Sequence, residues 1–520
     1  MVRRIFAINL LMIAILSWSS CGGSSSSSSS STGPNPSVVG TLYTFVGDTP
    51  VCDVLSLRMN ATALTLGVAG STTQTVNVLS PLSTVINLNF AALRDFSTVL
   101  ALASTPAATY DRVSMQLQAP VLIVYDPTQN PPFRAVTATL STGTTPPLFN
   151  LNPPLTIKQN TVSALSVDFS LEQMVGINSA GEFDGTITPA ATATALAASA
   201  GSFGDLDGLE GFVRTVQTAS FTSGSTTFTG GVLLQALSSS VAGSGGPGVA
   251  ISFTKNTQIC MPPTVSNQAC QPPASIAQIL TNSYAWVDAF LDSNGNFNAT
   301  TVDFEDVEDP LRQKIAFVGP ILSLTTGTRG NVTGFTIFLR TQQPPSSFNV
   351  ANDTEVQVNL SPGTIYQSSA PATNFPSLPF GPSALAVGQE VVVHGTFTVP
   401  TTTPPSAIVG ADTIFLKLQT HEGNLGSLLA VQPDDHTGTF TLSPCATLLQ
   451  QGDAAALPIY VFTNSATAFV NTSGLTTLRS QPAILVKGLL FLEPQSATIN
   501  GVTVPAGKLV MLAKTVTQLP

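Results

Sequence analysis

The sequence predicts an all-β protein, and three observations carry that prediction. Only 9% of the 520 residues are charged, while Thr, Ser, Val, Gly and Pro are abundant and helix-favouring Glu, Lys and Arg are scarce. Short runs alternate apolar with polar residues, the period of a half-buried strand. Beyond residue 211 the pattern of strands and turns recurs at a nearly fixed period, as tandem modules do. A chain of this length exceeds one hydrophobic core, so several modules are expected.

The first stretch is a leader. Arg3 and Arg4 precede an uncharged apolar run, Ile5 to Leu16, which is too short to span ~30 Å of hydrocarbon and has the length of the apolar part of a secretory signal. Small residues then lead to Cys21: Ser19-Ser20-Cys21-Gly22-Gly23. This box resembles the processing site of bacterial lipoproteins, with Trp18 standing where that family usually carries Leu. The resemblance implies cleavage after residue 20, lipidation of Cys21, and a chain tethered to a membrane of the cell envelope, on a periplasmic or surface face of the outer membrane. Residues 21–37, Gly- and Ser-rich, are expected to be a flexible tether, because they cannot bury enough apolar surface to offset their ordering entropy.

Residues 38–200 read as one β-sandwich of immunoglobulin-like or transthyretin-like kind. Val39 to Val46, Ser56 to Leu64, Thr109 to Leu117 and Ser163 to Leu171 alternate as strands, and the first is expected to stop at Gly47-Asp48-Thr49-Pro50. Phe90 to Leu102 is the best helical candidate, with Leu93, Phe96 and Leu100 on one side. The stretch resembles a family of uncharacterised modules near the N-terminus of envelope lipoproteins. The residues that carry the likeness are Gly47-Asp48-Thr49-Pro50 for an Asp-Ala-Pro turn, Pro106-Ala107-Ala108-Thr109-Tyr110 for a Pro-Ala-Gly-x-Tyr strand start, and Val167-Asp168-Phe169. That family implies no reaction. A boundary is placed in the Gly- and Asp-rich segment from Gly201 to Gly211.

Three repeats follow, at 211–310, 311–417 and 418–520. Gly211, Gly319 and Gly426 open them, each followed by a strand: Thr226 to Thr229, Gly334 to Leu339, and Gly438 to Leu442. A Thr-containing turn comes next, at Lys255 to Ile259, Asn352 to Val356, and Ser465 to Phe469. Tyr284 to Phe290, Val387 to Phe397 and Ala483 to Phe491 close the units, with Gly388, Gly395 and Gly488 at tight bends. This order resembles a second family of uncharacterised envelope modules that look like small OB-type barrels, which implies three OB-like β-barrels.

Chemistry is sparse. A net charge of −10 without any basic cluster argues against nucleic acid, and no apolar run after residue 16 reaches ~18 residues. Cys52, Cys260, Cys270 and Cys445 remain after lipidation. Cys260 and Cys270 flank a Pro-rich loop, read as a short-loop disulfide or as two free thiols, and neither CxxC spacing nor a nearby His points to zinc. His394, His421 and His436 are the only histidines; none has a companion nucleophile motif, so they read as strand or surface residues. Asp292-Ser293-Asn294-Gly295-Asn296-Phe297 with Asp303 superficially matches a calcium loop, but Phe297 stands where glycine is needed and Asn294-Gly295 is a strong two-residue hairpin signal. The acidic run Asp303, Glu305, Asp306, Glu308 and Asp309, and the smaller set Asp205, Asp207 and Glu210, read as solvated linkers. The function these features imply is a non-enzymatic envelope protein without metal or cofactor, binding a glycan or protein. A hydrolase sited between modules, or a structural spacer, is the alternative.

Overall fold

The computed structural model describes residues 35–49, 51–79, 86–93, 98–143, 146–179, 182–199, 201–236, 248–307, 314–327, 331–343, 350–368, 378–398, 407–452, 454–481 and 483–519. The expected leader, Cys21 and most of the expected tether lie outside them. About 63% of the described residues are strand and 6% helix. Among the described residues no helix is long and apolar enough to cross a membrane.

In the N-terminal module the strands are β1 (Asn35–Thr49), β2 (Val54–Val68), β3 (Thr98–Tyr125), β4 (Leu148–Ile157), β5 (Val162–Ser170) and β6 (Ala191–Leu196). β3 is long enough to serve two sheets. Its first part pairs with β1, completing a ring of β1, β5, β6, β4 and β3, while its second part pairs with β2. Both sheets enclose one core that includes Leu57, Leu66, Tyr110, Met115, Val167 and Phe169. Two expectations change. β1 does not stop at Gly47 but continues to Thr49, paired in parallel with β5. The helix is a single turn, α1 (Phe90–Leu93), and from Thr98 the chain is strand; Thr98 and Val99 are β-branched and find β1 as a partner, so pairing overrides the helical spacing.

The three repeats share one topology. In the first, β7 (Ser202–Gln217), β8 (Gly230–Ala236), β9 (Gly248–Phe253), β11 (Ser283–Asp292) and β12 (Phe297–Val307) close a five-stranded ring, and the short β10 (Gln258–Cys260) adds to β12. β13 (Lys314–Thr326), β14 (Val332–Phe338), β15 (Glu355–Asn359), β16 (Ile365–Ser368), β17 (Glu390–Thr398) and β18 (Ala407–Leu416) repeat the plan. So do β19 (Gln419–Val431), β20 (Gly438–Pro444), β21 (Ile459–Thr463), β22 (Ala468–Val470), β23 (Ile484–Glu493) and β24 (Lys508–Gln518). In each ring the first three strands form an antiparallel meander, the third meets the last in parallel, and the fourth joins last to first. This is the order of an OB-type barrel. The first repeat begins at Ser202, so the segment read as a boundary is strand.

Register refines the alignment of the copies. Gly211, Gly319 and Gly423, not Gly426, pair with Ala285, Val391 and Ile484 at equivalent points of the fourth strand. At each, a Cβ would meet a neighbouring strand's carbonyl oxygen, of Gln235, Phe338 and Ser443. The fourth and last strands share a bulge, which falls between Asp288 and Ala289, His394 and Gly395, and Lys487 and Gly488. A Cβ on Gly395 or Gly488 would collide with Gly410 or Leu512 oxygen.

A threonine of the turn after the third strand secures that bulge. Thr257, Thr364 and Thr467 each accept from the backbone three residues earlier, at Thr254, Ser361 and Asn464, all at 2.9 Å. Each donates to the carbonyl of Ala299, Ala411 or Ala513, at 2.8, 2.9 and 2.9 Å. The turn expected at Asn352 to Val356 is therefore not the equivalent; Ser361 to Thr364 is.

The barrels are fused, and Pro34–Pro520 forms one compact unit. Tyr43 of the first module donates to Gly295 oxygen at 2.8 Å and meets Phe297 edge-on. Arg58 pairs with Asp353 at 2.8 Å, and Arg340 donates to Leu55 oxygen at 2.9 Å. Cys52 and Cys445 form a disulfide across 393 residues.

Candidate functional site

The Asp292 loop folds as a hairpin of three residues rather than two, Ser293 to Gly295, with Gly295 in the left-handed region at φ +87°. The Asp292 carboxylate accepts from the backbone of Asn294 and Asn296, at 2.8 and 2.9 Å, and from the Asn298 amide at 3.1 Å. Burial pushes its pKa up, but these bonds outweigh it and hold it below the usual range. The carboxylate thus serves the loop's own donors.

The acidic segments are not solvated linkers. Asp303 and Glu305 lie in β12, 8% and 2% exposed, and Glu210 in β7 is 2% exposed. Glu210 pairs with Lys417 and accepts from the Tyr284 hydroxyl at 2.6 Å, while the Lys417 ammonium sits 4.8 Å from the Trp286 ring centre. Burial pushes the Glu210 carboxyl up, and Lys417 opposes that shift. Glu308, Asp309 and the Asp205 and Asp207 side chains lie outside the described residues.

Of the histidines, two are buried. His394, in β17, pairs through Nε2 with Glu305. His421, in β19, meets the Gln419 amide through Nε2. His436 packs edge-on against Phe469, ring centres 4.9 Å apart.

The His394–Glu305 pair borders a cleft of about 310 Å³ where the first and second repeats meet, lined also by Pro262, Asp306, Asp412 and Thr413. Thr413 is the cross-strand partner of His394, and Asp412 is the extra residue of the bulge. Lys314 reaches Asp306 at 3.3 Å and Asp412 at 3.6 Å, and these carboxylates raise its pKa against the lowering effect of burial. One wall is the Pro-rich loop. Cys260 and Cys270 are bridged, Cα atoms 4.9 Å apart, and the closed loop docks on the second repeat. Asn267 donates to Tyr366 oxygen at 2.8 Å and to Phe380 oxygen at 2.9 Å, and accepts from Phe380 at 2.8 Å. Gln367 donates to Gln268 oxygen at 2.8 Å. The arrangement offers acceptors and a histidine on a rigid frame, suited to holding a polar ligand.

Elsewhere Cys52, Cys445 and Glu422 bring their sulfur and carboxylate atoms within 4.8 Å of one another. With the sulfurs bonded together, no thiolate is present to hold a metal. Sequence reasoning could not find this trio, since its members lie on distant parts of the chain.

No protein-family model matches the sequence, and no curated protein is similar to it at a significant level.

Proposed function

We propose that this chain is an exported, lipid-anchored protein of the cell envelope that binds a glycan or protein ligand without transforming it, and that the ligand sits in the cleft between the first and second repeats. One observation carries the reading. The cleft is framed by two barrels locked together through the buried Lys417–Glu210 ion pair, the buried His394–Glu305 contact and a docked, disulfide-closed loop, so its polar groups are held in place before any ligand arrives, which lowers the cost of binding. The leader and Cys21 supply the address.

The test is retention of envelope glycans and proteins by residues 34–520, comparing wild type with the pair Asp306→Asn and Asp412→Asn. Retention that the pair abolishes supports the reading; undiminished retention, or turnover of a bound molecule, overturns it. Loss of labelled acyl chain in Cys21→Ser tests the anchor, and an unlabelled wild type would refute it.

A hydrolase is the second reading, favoured by the placement of His394 against Glu305 in a cleft that Thr413 also lines. It requires turnover that His394→Gln removes.

A further inference from the structure

The second bridge is built differently from the first. Cys52 lies between β1 and β2 and Cys445 just after β20, so their bond joins the N-terminal module to the third repeat, with Cα atoms 5.7 Å apart. Glu422 of β19 places its Oε2 3.6 Å from the Cys52 sulfur, and its backbone oxygen accepts from the Cys445 amide at 3.1 Å. Both cysteines and Glu422 are half-buried. A second contact joins the same two sides next to the bridge: the Asp53 carboxylate accepts from the Thr447 amide and hydroxyl, each at 2.6 Å.

A carboxyl beside a disulfide has a chemical use. The rate of thiol–disulfide exchange depends in part on the departing sulfur, which leaves faster the better its negative charge is stabilised. We propose that Cys52–Cys445 is a thiol–disulfide exchange site for dithiols, in which Glu422 delivers the proton to the departing Cys52 sulfur. One thiolate of the dithiol attacks the Cys445 sulfur, the S–S bond breaks, and its electron pair passes to the Cys52 sulfur, which takes the Glu422 proton. The second dithiol sulfur, its proton lost to solvent, displaces Cys445. The Cys445 thiolate is protonated by solvent, and the dithiol leaves as its own disulfide, oxidised by the two electrons the protein gains. In the reverse direction the Glu422 carboxylate takes the Cys52 thiol proton, and the Asp53–Thr447 contact keeps both sulfurs within reach.

The surroundings suit that role. Burial, helped by the charge of Glu172 on the one-turn helix α2 (Leu171–Met174), pushes the Glu422 carboxyl up to about 7. Asp53, beside Cys52, is also raised by burial, against the bonds from Thr447 and Leu448. The acid form of Glu422 is thus present near neutrality. This inference stands apart from the ligand cleft.

The experiment treats residues 34–520 with dithiothreitol and follows both bridges by alkylation and peptide mass spectrometry. Cys260–Cys270 is the internal reference. Near pH 6, Glu422→Gln is expected to slow opening of Cys52–Cys445 by about a hundredfold, the lower end of the range for a lost proton donor, and to leave the Cys260–Cys270 rate unchanged. Near pH 9, where Glu422 is ionised in wild type, the difference disappears; Glu422→Asp restores part of the rate near pH 6. An unchanged rate in Glu422→Gln, or equal slowing at both pH values, overturns the proposal. Should the variant fail to fold, the wild-type profile decides: after correction for dithiol ionisation its rate must fall through about pH 7, and a flat profile refutes the assignment.

Discussion

The first and second repeats meet largely through buried polar and charged groups, whereas the second and third meet largely through carbon, with one buried amide, Gln389, donating to Leu490 oxygen at 2.8 Å. At the first joint Glu210, Lys417, Glu305 and His394 are withdrawn from water with Tyr284 and Trp286 around them. At the second, Phe380, Phe462, Phe491, Val510 and Leu512 merge into one core, with Phe380 and Phe491 ring centres 6.2 Å apart. The barrels have the same topology, so topology does not decide the chemistry of a joint. Burial of apolar surface supplies net stability. Buried ion pairs often return little over an apolar substitute but penalise a wrong partner heavily. The comparison teaches a division of labour: the apolar joint stabilises, and the charged joint specifies which faces meet and frames the cleft.

Substitution should break the two joints in different ways. The largest effect is expected from Lys417→Met, which leaves Glu210 buried without its cation; denaturant unfolding should show a loss of about 3–5 kcal/mol. Adding Glu210→Gln should recover much of it. At the apolar joint Phe491→Ala should cost about 3–4 kcal/mol, and adding Phe380→Ala should deepen the loss. Recovery at one joint and further loss at the other is the signature of the difference; losses that deepen at both would erase it.

Smaller effects belong to features that all copies share. Thr257→Val, Thr364→Val and Thr467→Val each strand the carbonyl of a bulge alanine and should cost about 1–2 kcal/mol by the same measurement. Similar losses confirm the alignment of the turns, and a silent Thr364→Val contradicts it.

Glu422 makes a weaker, pH-dependent contribution. Its folded pKa, about 7, lies above the ordinary 4.5, so the folded chain holds the extra proton. That contribution is complete below about pH 4.5 and is lost as pH rises through 7. Thermal melts of wild type should decline relative to Glu422→Gln across that window. Asp412→Asn should change stability least, under about 1 kcal/mol, since its pairing with Lys314 is half-exposed.

Local patterns were legible in the sequence and distant meetings were not. Alternation marked the strands, and the recurring strand order marked three copies of one barrel. Turn chemistry marked the hairpin before Phe297, although Gly295 closes a three-residue loop. Glycine and threonine recur so often that Gly426 and Thr354 stood in for Gly423 and Thr364; only strand register separates them. The buried charges were misread because sparse carboxylates between strands resemble linkers. Their partners lie 207 residues away for Glu210 and 89 for Glu305, and no period or spacing links them. For the same reason no spacing pointed from Cys52 to Cys445.

These joints make one body of the four β modules. Small-angle X-ray scattering of residues 34–520 tests this most directly. A single compact unit of this length should have a radius of gyration of about 23 Å by the usual scaling of folded chains. A value well above 30 Å, with modules scattering as separate beads, would show that the joints do not hold the modules together.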